Sequence, residues 1–81
     1  MKVETSRQPL RWETIVRADG VEIEQALARN NSWYLIVPQG TELELRYASQ
    51  AGNYLVARCA SHDDAKRAAD AHADRYDTRA E

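Results

Sequence analysis

Between Leu10 and Cys59, apolar and polar residues alternate in short runs separated by turn signals; after Ser61 the repeat becomes helical. Strand side chains point alternately to opposite faces, whereas helix side chains return to one face every three or four residues. A chain ordered this way builds a sheet from consecutive strands and then lays one helix across it.

The runs can be followed in turn. Leu10, Trp12, Thr14 and Val16 share one side of a first segment, with Arg11, Glu13 and Arg17 on the other. Asp19-Gly20 is a hairpin turn signal. Val21, Glu22, Ile23 and Glu24 alternate again and the stretch continues to Ala28, although a helix over residues 21–29 competes with a strand there. Arg29 to Ser32 reads as a turn. Trp33 to Val37 is apolar on both faces and rich in β-formers, which suits a central strand. Pro38-Gln39-Gly40 ends it. Glu42, Glu44 and Arg46 then interleave with Leu43, Leu45 and Tyr47, the cleanest amphipathic strand of the chain. A loop over residues 49–53 leads to a last strand, Tyr54 to Cys59.

Ser61 is a good N-cap, with Asp64 three residues on, and Asp63 and Asp64 suit the positive end of a helix dipole. Ala65, Ala68, Ala69, His72, Ala73 and Tyr76 follow helical spacing, which predicts a helix from His62 to Tyr76 or Thr78. Its alanine stripe lets it lie close to the sheet, with Trp12, Trp33, Leu35, Leu45 and Leu55 expected to fill the space beneath it. The expectation is an α+β fold: a four- to five-stranded antiparallel meander with one C-terminal helix packed on one face. Residues 1–9 read as a flexible N-terminal arm, 10–78 as a single domain and 79–81 as a frayed end.

The chain has 81 residues, enough for one domain and too few to enclose a sizeable active site. Its net charge of −2 argues against a general DNA or RNA binder, which is usually basic. Cys59 is the single cysteine, so an intrachain disulfide is excluded and a reducing compartment fits. The polar start predicts no secretory signal, and no run approaches the ~18 apolar residues of a membrane span. The expected location is the cytoplasm, with no membrane contact.

Chemistry-bearing motifs are sparse. His62-Asp63-Asp64 has the residue types of a metal or acid–base cluster, but helix capping accounts for both aspartates. His62 and His72 stand roughly 80° apart around a helix and nearly three turns apart along it, so they cannot share an ion. Cys59 next to His62 and a helix N-terminus could be a nucleophile; a small buried apolar side chain is the simpler reading. No glycine-rich phosphate loop occurs among only three glycines. These readings predict no catalytic residue, no metal and no cofactor.

The acidic pairs are more suggestive. If the strands holding Glu22 and Glu24 and Glu42 and Glu44 flank the 33–37 strand, all four carboxylates would rim the helix-free face, with Tyr34 and Ile36 between them. Apolar centres with polar rims are how many protein-binding surfaces are built. An acidic rim would suit a basic partner. The alternative is an ordinary solvated sheet face. Arg11, Arg17, Arg46 and Arg58 form a second, basic set that would serve a nucleic-acid-binding accessory module.

The segment Ser61-His62-Asp63-Asp64-Ala65-Lys66-Arg67-Ala68-Ala69-Asp70-Ala71-His72 resembles the ending of many small phage and prophage proteins. These close with a strand and then a serine-capped, alanine-rich helix, after a tryptophan strand and a tyrosine-rich meander. The resemblance covers the last third of the chain well and the rest in outline. It implies a non-enzymatic protein that binds and inhibits or modulates a host protein or ribonucleoprotein complex, as anti-CRISPR proteins do. No specific family is matched, so no functional residue is carried over. A homodimeric scaffold, pairing through a sheet edge or the Tyr34 and Ile36 face, is a further alternative.

Overall fold

A computed structural model describes residues 10–76; the arm expected at 1–9 and the end expected to fray at 79–81 lie outside the described residues. Among the described residues, five antiparallel strands lie in chain order across one open sheet: β1 (Trp12–Val16), β2 (Glu22–Ala28), β3 (Ser32–Gln39), β4 (Glu42–Ser49) and β5 (Gly52–Cys59). The helix α1 (His62–Tyr76) packs on one face. The architecture is the expected α+β meander. Residues 22–28 are strand rather than helix.

The turns explain why the strands pair as they do. Asp19 accepts a bond from the Val21 amide at 3.1 Å, and the Gly20 amide bonds the Arg17 carbonyl at 2.9 Å, which closes the β1–β2 hairpin. Between β2 and β3, Asn30 and Asn31 take φ of 59° and 61°. That left-handed conformation is one that asparagine tolerates better than most residues. β3 and β4 are joined by Gly40 and Thr41 alone, with Gly40 at φ 62°. A two-residue hairpin needs this positive φ so that its twist matches the strands. β3 runs through Pro38 to Gln39, past the expected stop at Val37; the missing proline donor falls at the exposed end of the strand.

The short β3–β4 loop sets the register. It pairs Gln39 with Glu42, and therefore Ile36 with Leu45 and Tyr34 with Tyr47. Paired residues of an antiparallel ladder share a face. The apolar side of β4 (Leu43, Leu45, Tyr47) thus takes Tyr34 and Ile36 with it under α1. Tyr34, Ile36 and Leu45 are the largest fully buried side chains, at 0 %, 1 % and 0 % exposure. Above them lies the alanine stripe Ala65, Ala69 and Ala73, each fully buried. Trp12 packs against this core too.

This reverses part of the expected core. Trp12 and Leu45 do lie beneath the helix. Trp33, Leu35 and Leu55 do not: Trp33 pairs with Leu27 and Ala48, and Leu35 with Gln25 and Arg46. Leu55 pairs with Arg46, so all three belong to the opposite face. The 33–37 run is apolar at every position, so its alternation carried no information about which side faces the helix. The register decided it.

α1 begins as expected. The Ser61 hydroxyl accepts the Asp64 amide at 3.1 Å, satisfying one of the free donors of the first turn. The helix is tied to the sheet by Lys66, whose Nζ lies 3.0 Å from Glu24 Oε1. Among the described residues, no helix is long and apolar enough to cross a membrane.

Candidate binding surfaces

The four glutamates do not form one rim. Glu24 points to the helix side, where Lys66 and, at 3.8 Å, His62 Nε2 meet it. Glu22 lies on that same side at the start of β2, exposed and opposite Val16. Glu42 and Glu44 alternate with Leu43 and Leu45 and so face away from the helix. Tyr34 and Ile36, expected between the carboxylates, are sealed beneath α1 and cannot touch a partner. The acidic-rim arrangement is therefore corrected: the same register that buries Tyr34 and Ile36 divides the glutamates between the two faces.

The helix-free face carries a different surface. Its rows read directly from the ladder. One contains Leu27, Trp33, Ala48 and Asn53. The next contains Glu13, Gln25, Leu35, Arg46 and Leu55. Ile15 pairs with Ile23, and Val37 pairs with Glu44 and through it with Arg58. Leu27 is 46 % exposed and Ile15 and Leu55 each 37 %. Ile23 is buried and is not part of the cluster under the helix. Among the described residues nothing packs over this face.

Two arginines on that face share one carboxylate. Glu44 is met by Arg46 at 3.0 Å and by Arg58 at 3.7 Å, and Arg46 also bonds Asn53 Oδ1 at 3.2 Å. Glu13 accepts from the Gln25 amide at 3.1 Å. Of the basic set, Arg46 and Arg58 thus share one carboxylate, while Arg17 is bound by Asp19 at the far hairpin. That ion pair and the Val21 amide hold the Asp19 carboxyl down at about 2. The arginines do not converge on one phosphate-binding stripe.

A groove of about 620 Å³, open to solvent, runs between β5 and α1, with Tyr54, Val56, His72, Arg75 and Tyr76 among its lining residues. A bulge in β5 between the Leu45–Ala57 and Arg46–Leu55 pairs shapes its sheet side. His72 is gripped by two hydroxyls. Tyr34 Oη lies 2.6 Å from Nδ1 and Tyr54 Oη 3.0 Å from Nε2. Tyr34 also meets the imidazole edge-on, with planes at 82°. A neutral imidazole has one donor and one acceptor nitrogen, and a hydroxyl can fill either complementary role. Burial, followed by the nearby Arg75 charge, holds the His72 pKa below the usual histidine value. This cluster was not anticipated. Its signal was the pair of two-residue loops, which place Tyr34, Tyr47 and Tyr54 in one row across three strands.

Cys59 and His62 do not form an activated pair. Burial and the Asp64 carboxylate raise the Cys59 thiol, the reverse of what a nucleophile requires. His62 turns instead toward Glu24. Among the described residues, no group of three or more His, Cys, Asp and Glu side chains is gathered to hold a metal ion.

Comparison with known proteins finds no matching family model, no similar curated protein and no similar solved structure.

Proposed function

We propose that this chain is a non-catalytic protein-interaction domain whose docking surface is the helix-free face of the sheet. The observation that carries this reading is the uncovered apolar surface made by Ile15, Leu27, Trp33, Leu35, Val37 and Leu55, beside the Glu44 carboxylate shared by Arg46 and Arg58. An antiparallel sheet whose outer face meets water normally alternates apolar inside and polar outside. Here the central strand is apolar on both faces. A contiguous exposed apolar patch edged by polar groups is the usual mark of a protein interface. The aromatic anchor would be Trp33, since tryptophan contributes disproportionately where it is desolvated on binding.

The resemblance to small phage proteins supports a finer version. The domain would engage a host protein or ribonucleoprotein complex and block or modulate it by occupying a surface, without chemistry of its own. A nucleic-acid module is the less favoured alternative, because Arg46 and Arg58 already share Glu44.

The test is affinity capture from bacterial lysate with the wild type and with Leu35→Glu, followed by mass spectrometry. Position 35 faces Arg46 across the ladder, so the introduced carboxylate has a cation beside it and the sheet should stay intact by circular dichroism. Specific captured chains, including differently tagged copies of this one, should be lost with the variant. Identical captured sets for both proteins would refute this assignment of the surface.

A further inference from the structure

We infer a second binding site, separate from the helix-free face: the open edge of β5 beside α1 takes up a short extended peptide that carries a carboxylate, adding it to the sheet as a sixth strand.

β5 ends the strand order and pairs with β4 alone. An end strand leaves a row of main-chain amides and carbonyls without ladder partners, which is a template for another strand. Shortness, proline and lysine are common guards of such an edge. The other end strand, β1, has only five residues. β5 has eight, with neither proline nor lysine among them. Its one irregularity is the bulge that leaves Val56 without a partner on β4. Bulges also occur beside active sites, where they re-aim a side chain.

The groove follows that edge rather than lying over one face. Tyr54 and Ala57 pair with Tyr47 and Leu45, on the helix side, whereas Leu55 pairs with Arg46 and belongs to the opposite face. All three line the groove, as does Val56. A groove that meets side chains of both faces wraps the edge of the strand. Its other wall is a single stripe of α1, with Ala68, His72, Arg75 and Tyr76 at helical steps of three and four. Its volume of about 620 Å³ lies within the range of ligand clefts, about 300–1,000 Å³.

The aromatic part of this wall is preformed. His72 holds the Tyr54 hydroxyl at 3.0 Å and is itself held by buried Tyr34. The Tyr76 ring lies 4.7 Å from the imidazole. Tyr54 and Tyr76 nevertheless stay 49 % and 59 % exposed. Large amphipathic rings held in place and left open to water suit a binding surface, because little ordering remains to be done when they are covered. A strand laid beside β5 sends every second side chain toward them, so the peptide alternates apolar residues with others.

Charge selects among such peptides. Arg75 is the one charged residue lining the groove. No ion pair within the described residues engages it. A carboxylate on the peptide meets an unopposed cation there, and a lysine is repelled.

Arrays of octapeptides, random except for a central Glu, Gln or Lys, probed with the fluorescently labelled full chain, test this. Glu peptides should be retained over Lys peptides by about two- to fivefold, the range of an exposed ion pair, and Arg75→Glu should reverse the order. The strongest binder is then resynthesised with N-methyl groups at alternate amides. One set of positions should lose binding and the other keep it, because an added strand turns only every second amide toward β5. On titration with that peptide, the amide resonances of residues 52–59 and 68–76 should move while those of β1 stay. No retained peptide overturns the inference, whether the edge stays bare or a second copy covers it, and so does retention indifferent to charge. Equal effects of both N-methyl sets refute strand addition. Resonance shifts centred on Trp33 and Leu35 overturn the site by placing the peptide on the helix-free face. Should Arg75→Glu fail to fold, the N-methyl series and the titration on the wild type decide. Failure here leaves the helix-free reading standing, since Leu35→Glu tests that face by itself.

Discussion

Removing one oxygen atom, in Tyr34→Phe, probes the joint between sheet and helix. Tyr34 is fully buried, and its Oη lies 2.6 Å from His72 Nδ1. The phenyl ring keeps the packing against Tyr47, whose ring centroid is 5.1 Å away, and the edge-on contact with the imidazole. What is lost is the hydrogen bond, and His72 Nδ1 loses its hydroxyl partner. A net hydrogen bond is worth about 1 kcal/mol, and a buried group left unsatisfied costs about 1–3 kcal/mol. His72 is only half-buried, so water can recover part of that cost, which places the loss at about 1–2 kcal/mol. For a domain of this size each kcal/mol lowers the melting temperature by about 4–8 °C. Tyr54→Phe is the internal control. It removes the 3.0 Å bond at the other imidazole nitrogen, but Tyr54 is 49 % exposed and water replaces it readily, so it should cost less. Urea unfolding followed by circular dichroism, with unchanged m-values, measures both. Equal losses for the two variants, or none for Tyr34→Phe, would show that the buried hydroxyl does not pin the helix.

Two further outcomes follow from the same core. The His72 pKa is lowered on folding, so the unfolded chain takes up a proton near its ordinary value of 6.5 while the folded protein resists it. The unfolded state then binds more protons, and stability falls as the pH drops below about 6.5; urea midpoints at neutral and mildly acidic pH should show the fall, and His72→Gln should flatten it. Leu45→Ala empties the centre of the sheet beneath the alanine stripe and should cost about 2–5 kcal/mol in the same assay, with a correspondingly lower melting temperature.

Several features of the candidate surface could not be read from residue patterns. Glu42, Glu44 and Arg46 alternate cleanly with Leu43, Leu45 and Tyr47, so β4 had one apolar side wherever it was placed. Trp33 to Val37 had no polar position with which to orient it. A one-residue choice of register exchanges the entire set between core and surface. The loop of Gly40 and Thr41 made that choice, burying Tyr34 and Ile36 and turning Trp33, Leu35 and Val37 outward. With them, Glu24 went to the helix side and Glu44 to the open face.

Local chemistry, by contrast, was sufficient for the elements themselves. The change of period at Ser61, the capping hydroxyl and the aspartates that follow it define α1 without reference to the rest of the molecule. The asparagines and glycines mark turns because few other residues accept a positive φ. Such features depend on neighbours a few positions away, and those neighbours are written in the chain. The outward face, the Tyr34–His72–Tyr54 contact and the pairing of Glu44 with two arginines depend on residues brought together from different strands and the helix. They came into being only when the hairpin loops set which side chains lie opposite one another.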